Sequence, residues 1–254
     1  MFATDETLKA KKGIAWLIAL AALMALIAIG LAVAFAFNSA SELHSFAAQD
    51  DKEAIEAASS NKPTVTNATT QVINLVGLMG LSAEDAVQKI RHGAAVQDEA
   101  PMSSVGFTSE ETVVLTDEKG DALSGTPTVT LGFDGNGTVA AASYSAPTSL
   151  LGYGNLSFSD AVEEFHIVEN LLGKVGLSGV EEGSVTLPDR KEYSSYGPDR
   201  KTLTSETYTF SGSAQSGDLP YSWTVTLTYD YDEANSTGNL ANTVKKVAVS
   251  IMRE

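Results

Sequence analysis

The sequence predicts an α+β protein, with an N-terminal transmembrane helix followed by two tandem helix-plus-antiparallel-sheet repeats. Three observations predict it. Residues 13–37 form an uncharged apolar run, GIAWLIALAALMALIAIGLAVAFAF. Residues 75–90, LVGLMGLSAEDAVQKI, match residues 150–165, LLGYGNLSFSDAVEEF, at a constant offset of 75. Stretches with apolar residues at alternate positions follow each copy, as half-buried strands require.

The apolar run comes first in the chain. At about 1.5 Å per residue it makes roughly 37 Å of helix, enough to cross a hydrocarbon core of about 30 Å. Trp16 stands near its start, where an amphipathic ring suits an interface. Lys9, Lys11 and Lys12 precede it, while Glu42, Asp50, Asp51 and Glu53 follow. The positive-inside rule then gives a cytoplasmic tail at 1–12, a single-pass signal-anchor at 13–37 and an extracytoplasmic remainder at the cell envelope. Cleavage after Ala34-Phe35-Ala36 is the alternative, but the run exceeds a usual signal-peptide core. Ala28, Ala32 and Ala36 recur every fourth position, a spacing that lets two membrane helices approach and self-associate.

Residues 38–64 read as a stalk, polar up to Ser60 and stopped by Asn61-Lys62-Pro63. The first repeat is expected over 65–147 and the second over 148–254. Ser82 and Ser157 are N-cap candidates with acidic residues in the next turn. Ala86, Val87 and Ile90 form one face of the first helix, with Gly93 as its stop. Ala161, Val162, Phe165, Val168, Leu172 and Val175 form one face of a longer second helix, closed by Gly176.

Strands are expected at 112–116, around Thr128-Val129-Thr130-Leu131, and at 138–144. The second copy offers 203–211, Thr224-Val225-Thr226-Leu227, and 243–252. Asp134-Gly135-Asn136-Gly137 reads as a hairpin turn.

These tandem units, each opening on a Gly77- or Gly152-containing helix start, resemble the β-lactamase-inhibitor-protein-like fold. The spacing from Gly77 to Ser82 is longer than in that group, and its paired cysteines are missing. Leu75-Val76-Gly77 and Ser82-Ala83-Glu84-Asp85-Ala86 are more faintly similar to the penicillin-binding-protein-associated (PASTA) modules. Both resemblances imply binding and not catalysis.

Charge narrows the function classes. Beyond residue 12 the chain carries 13 Lys and Arg against 30 Asp and Glu. Such a body repels phosphate backbones, which disfavours nucleic acid as a partner. Cysteine is absent, which removes disulfides, thiolate metal sites and cysteine nucleophiles. His44, His92 and His166 share no ligand spacing, and no Gly-x-Ser-x-Gly or phosphate loop occurs. No catalytic residue and no cofactor are therefore expected. Asp134 and Asn136, with Asp230 and Asp232, present oxygens at alternate positions and are weak calcium candidates. Turn chemistry accounts for the same residues without a metal.

One segment concentrates cations and aromatics in this acidic chain. Pro-Asp-Arg-Lys occurs at 188–191 and again at 198–201. Arg190, Lys191, Tyr193, Tyr196, Arg200 and Lys201 are the partner-binding candidates, since Tyr and Arg are favoured at interfaces. The expectation is a membrane-anchored extracytoplasmic interaction module with an unknown extracytoplasmic protein as partner. A cell-envelope enzyme with a spatially assembled site is the alternative, as is a purely structural envelope protein.

Overall fold

A computed structural model describes residues 64–91, 95–100, 107–123 and 125–254. Eight strands form one antiparallel sheet in the order β1-β2-β3-β4-β8-β7-β6-β5. They are β1 (Ala95–Ala100), β2 (Ser109–Val114), β3 (Thr128–Phe133), β4 (Val139–Pro147), β5 (Ser194–Tyr196), β6 (Leu203–Ser216), β7 (Leu219–Asp230) and β8 (Val244–Arg253). The order reads the same from either edge: four strands of the first half run inward to β4, and four of the second run inward to β8.

This corrects the expected fold class. Instead of two separate repeats with a sheet each, the described residues build a single sheet with few and short helices. The seam explains it. Ala141 to Pro147 of β4 pair with Met252 to Lys246 of β8, so each strand satisfies the edge that a separate sheet would leave open. Among the described residues no helix is long and apolar enough to cross a membrane, so the expected single-pass signal-anchor has no counterpart there. Its segment, 13–37, lies outside the described residues, as do the tail, residues 38–63, His44, His92 and Gly93.

Period-2 side-chain alternation sorts the sheet into two faces. On β7, Tyr221, Trp223, Val225, Leu227 and Tyr229 face the core. They join Val129 and Leu131 of β3, Tyr144 of β4, and Val247, Val249 and Ile251 of β8. Helix α1 (Ala83–Ile90) contributes Ala86 and Ile90 to this core. Helix α2 (Ile167–Lys174) contributes Ile167, Val168, Leu171 and Leu172.

The other face is built of hydroxyls. Ser211, Thr224, Ser250, Ser143, Thr130 and Thr112 are paired in register across six strands, forming one row. Small hydroxyl side chains suit neighbours about 5 Å apart on adjoining strands. The Thr112 and Thr130 hydroxyls lie 3.2 Å apart, and those of Thr209 and Thr226 lie 2.9 Å apart.

Local signals place matching residues at matching points. Ser82 Oγ accepts the Asp85 amide at 3.2 Å, and Ser157 Oγ accepts the Asp160 amide at 3.1 Å. Thr128 to Leu131 lie in β3 and Thr224 to Leu227 in β7, the third strand of each half. The long second helix is interrupted, however. Residues 160–164 form a π-turn, His166 takes a left-handed conformation (φ 47°), and α2 starts at Ile167. Past the break, Ile167 is buried beside the expected Val168, and Asn170 Nδ2 donates to the Phe165 carbonyl at 3.0 Å.

Candidate functional site

The predicted patch lies at one edge of the sheet, where β5 pairs with the start of β6. The structure divides its six residues. Arg190 and Tyr193 are tied into the fold. The Arg190 guanidinium is 3.4 Å from Glu206, a carboxylate whose side chain is only 7% exposed. The Tyr193 ring stacks on Phe158 with centroids 5.0 Å apart, and its carbonyl accepts the Thr207 amide at 2.7 Å. Burial pushes the Tyr193 phenol up, with Glu206 the next cause.

The Arg190 side chain is still 62% exposed, and the other four residues face solvent without a tie to the buried cluster. Lys191 makes an exposed ion pair with Asp189 at 3.1 Å. Tyr196, in β5, is 47% exposed. Arg200 and Lys201 sit in the turn between β5 and β6. The Gly197 amide donates to the Thr202 carbonyl, and the Arg200 amide to the Gly197 carbonyl, each at 2.8 Å. Asp199 fastens the turn. Its carboxylate accepts the Lys201 and Thr202 amides at 3.0 Å and the Thr202 hydroxyl at 2.6 Å. Those bonds, led by the hydroxyl, hold its carboxyl down at about 2. Arg200 pays with a left-handed backbone (φ 56°), which a side chain with Cβ disfavours.

Behind this margin lies a polar cluster that sequence reasoning missed. The Tyr231 hydroxyl donates to Glu206 Oε2 at 2.5 Å, and burial pushes that phenol far up. Lys245 Nζ donates to the carbonyls of Gly154 and Leu156 at 2.8 Å each, and stands 4.9 Å from the Tyr229 ring centroid. Burial lowers its ammonium, and Glu206 opposes that shift. Both Glu206 oxygens and the Lys245 ammonium are therefore engaged within the fold. Their work is to fix the 153–157 loop and the foot of β6 under the exposed margin. No local sequence pattern joins Glu206, Tyr231 and Lys245; only the β6–β7–β8 register brings them together.

Beyond β5 the edge of β6 is open. Its backbone bonds outward at Thr207, to Tyr193, and at Gln215, whose carbonyl accepts the Ser178 amide at 2.8 Å. Alternation makes the outward-facing residues between them Thr209, Ser211 and Ser213. A cavity of about 570 Å³ flanks these three. Its far wall is the loop through Gly179, Val180, Glu181, Ser184 and Val185, and Tyr208, Phe210 and Trp223 add apolar surface.

The loop is held off β6 by Glu169 of α2, which is 5% exposed. Glu169 Oε1 accepts the amides of Gly183 at 3.1 Å and Val185 at 3.0 Å.

The remaining candidates fall elsewhere. Asp134 Oδ1 accepts the Asn136 and Thr138 amides at 2.9 and 3.1 Å, which lowers its pKa; Asp230 Oδ1 accepts the Asp232 amide at 2.9 Å. Oxygens offered for calcium thus serve the two turns. Among the described residues, no group of three or more His, Asp or Glu is placed to hold a metal. His166 Nε2 lies 4.0 Å from Glu182, at the helix break. A second cavity of about 570 Å³ lies in the first half, between residues 69–74 and Leu115, with Lys89 and Arg91 on its wall. Comparison with protein-family models, with curated proteins and with solved structures gives no match for this chain.

Proposed function

We propose that this chain is a protein-interaction module whose contact surface is the margin formed by β5 and the β5–β6 turn. The observation that carries the reading is the division of the patch. Arg190 and Tyr193 anchor the margin to Glu206 and Phe158, while Lys191, Tyr196, Arg200 and Lys201 are left facing solvent. A rigid support lowers the ordering cost of binding. Tyr and Arg are the side chains that most often carry interface energy. Lys191 is paired with Asp189, and the exposed Arg200 and Lys201 favour an acidic or polar partner surface.

A photo-crosslinking residue at Tyr196 of the full-length protein, in its own cells, tests the reading. The same residue at Lys119, an exposed turn in the other half, is the control. A companion joined at 196 and not at 119, and lost on changing Arg200 and Lys201 to Ala, is the expected result. Equal labelling from both positions, or none from 196, would contradict it. Arg190 and Tyr193 are left unchanged because one pairs with the buried Glu206 and the other stacks on Phe158.

A further inference from the structure

We infer that the open edge of β6 binds an extended peptide segment of a partner protein, as an added strand, between Tyr208 and Ala214. The inference deepens the interaction reading by assigning a binding mode to the same side of the sheet. Three independent features carry it.

The first is the backbone. Bonds to Tyr193 and Ser178 close the window at Thr207 and Gln215. Between them, Thr209, Ser211 and Ser213 each turn one N–H and one C=O outward, with no partner among the described residues. A row of alternating donors and acceptors is matched by an extended chain and by little else. At about 3.4 Å per residue the window is roughly 24 Å long. Natural edges are normally blunted by Lys, Pro or a bulge. Residues 207–214, Thr-Tyr-Thr-Phe-Ser-Gly-Ser-Ala, contain no Pro and no charge.

The second is the spacing of the far wall. Glu169 draws the 183–185 amides toward α2, leaving about 570 Å³ between loop and strand. Through Oε1 alone, this buried carboxylate ties the loop to α2 at two backbone amides, Gly183 and Val185. The loop, bridged to β6 at Ser178, closes one end of the window, and the gap beside β6 is the space that one added strand would take.

The third is Trp223. Its ring lies against Gly212 and lines the groove. The indole Nε1 is buried, with no hydrogen-bond partner among the described residues. With Tyr208 and Phe210, the part of the ring that lines the groove offers apolar contact to alternate side chains of a seated peptide.

The test uses full-length protein and a phage-displayed library of random ten-residue peptides. The best retained peptide is synthesised unmodified and with N-methyl groups at alternate residues. Methylation of one alternating set is expected to weaken binding at least tenfold, and of the other set to leave it nearly unchanged. Ser211→Pro removes an outward N–H without touching the β6–β7 ladder, so it is tolerated at an edge. It is expected to weaken binding at least tenfold. Because the N-methyl series is measured on the unmodified protein, it decides the question even if Ser211→Pro fails to fold. In 19F NMR of 5-fluorotryptophan protein, assigned through Trp16→Phe, the Trp223 signal is expected to move on binding. Failure to retain any peptide, equal effects of both methylation sets, or full binding by folded Ser211→Pro would overturn the inference. Crosslinking from Tyr196 that persists without peptide binding would leave the interaction module standing and remove only this mode. Peptide binding without crosslinking from Tyr196 would do the reverse.

Discussion

The indole of Trp223 lies flat enough against Gly212 that a methyl group on that glycine would stand 2.7 Å from Cζ2. The two residues are register partners across β6 and β7, so glycine is what lets the ring extend toward the open edge. Gly212→Ala forces the ring to shift and is expected to destabilise the domain by about 1–3 kcal/mol. Denaturant unfolding, with the 19F signal of Trp223 as a second readout, checks both the cost and the displacement.

Glu110 of β2 is 4% exposed, and neither carboxylate oxygen has a hydrogen-bond partner among the described residues. Burial raises its pKa from 4.5 to about 6. As pH rises, the unfolded chain ionises first. The contribution of Glu110 to stability is thus most favourable below about 4.5, falls as pH rises to about 6, and remains lower above it. Glu110→Gln is expected to stabilise the protein by about 1 kcal/mol at pH 8, after allowance for solvent screening, and to change little at pH 4. Unfolding curves at the two pH values test the sign.

Tyr144 sits at the seam, paired with Val249 and fully buried, and its hydroxyl has no partner among the described residues. Burial pushes the phenol well above its ordinary range. Removing an unsatisfied buried hydroxyl removes its desolvation cost. Tyr144→Phe should therefore raise stability by about 1 kcal/mol. A loss of stability on thermal unfolding would mean that the hydroxyl is bonded.

Arg200 combines exposure with a left-handed backbone at φ 56°. Arg200→Gly relieves about 1 kcal/mol of backbone strain, partly offset by the greater freedom of glycine when unfolded. The expected result is unchanged or slightly raised stability together with weakened crosslinking from Tyr196. A large loss of stability would show that Arg200 holds the turn by contacts other than its backbone.

Features set by neighbouring residues were legible in the sequence. The serine caps at 82 and 157 follow from Ser-x-x-Asp spacing, and the turn at 134–137 follows from Asp, Asn and Gly. Alternation revealed β3 and β7 and their buried faces. The seam was not legible, because β4 and β8 are each ordinary half-buried strands and only their pairing makes one sheet. The helix break at His166 was hidden because apolar spacing continued across it. Strand β6 extends to Ser216, beyond the expected 203–211, because the hairpin at Gly217 brings Ser211 to Ser216 against β7. The candidate patch was visible as composition, but its division was not. That division depends on Glu206 and Phe158, which are 16 residues from Arg190 and 35 from Tyr193. Glu169 gave no signal at all, since a glutamate on an apolar helix face differs from a solvated one only by what it meets.

The open edge of β6 is the point on which the binding mode rests, and backbone amide exchange in the full-length protein measures it without any partner. The amides of Tyr208, Phe210 and Gly212, turned toward β7, should be strongly protected, while those of Thr209, Ser211 and Ser213 should exchange orders of magnitude faster. Equal protection of both sets would mean that the edge is already paired, and would contradict the account.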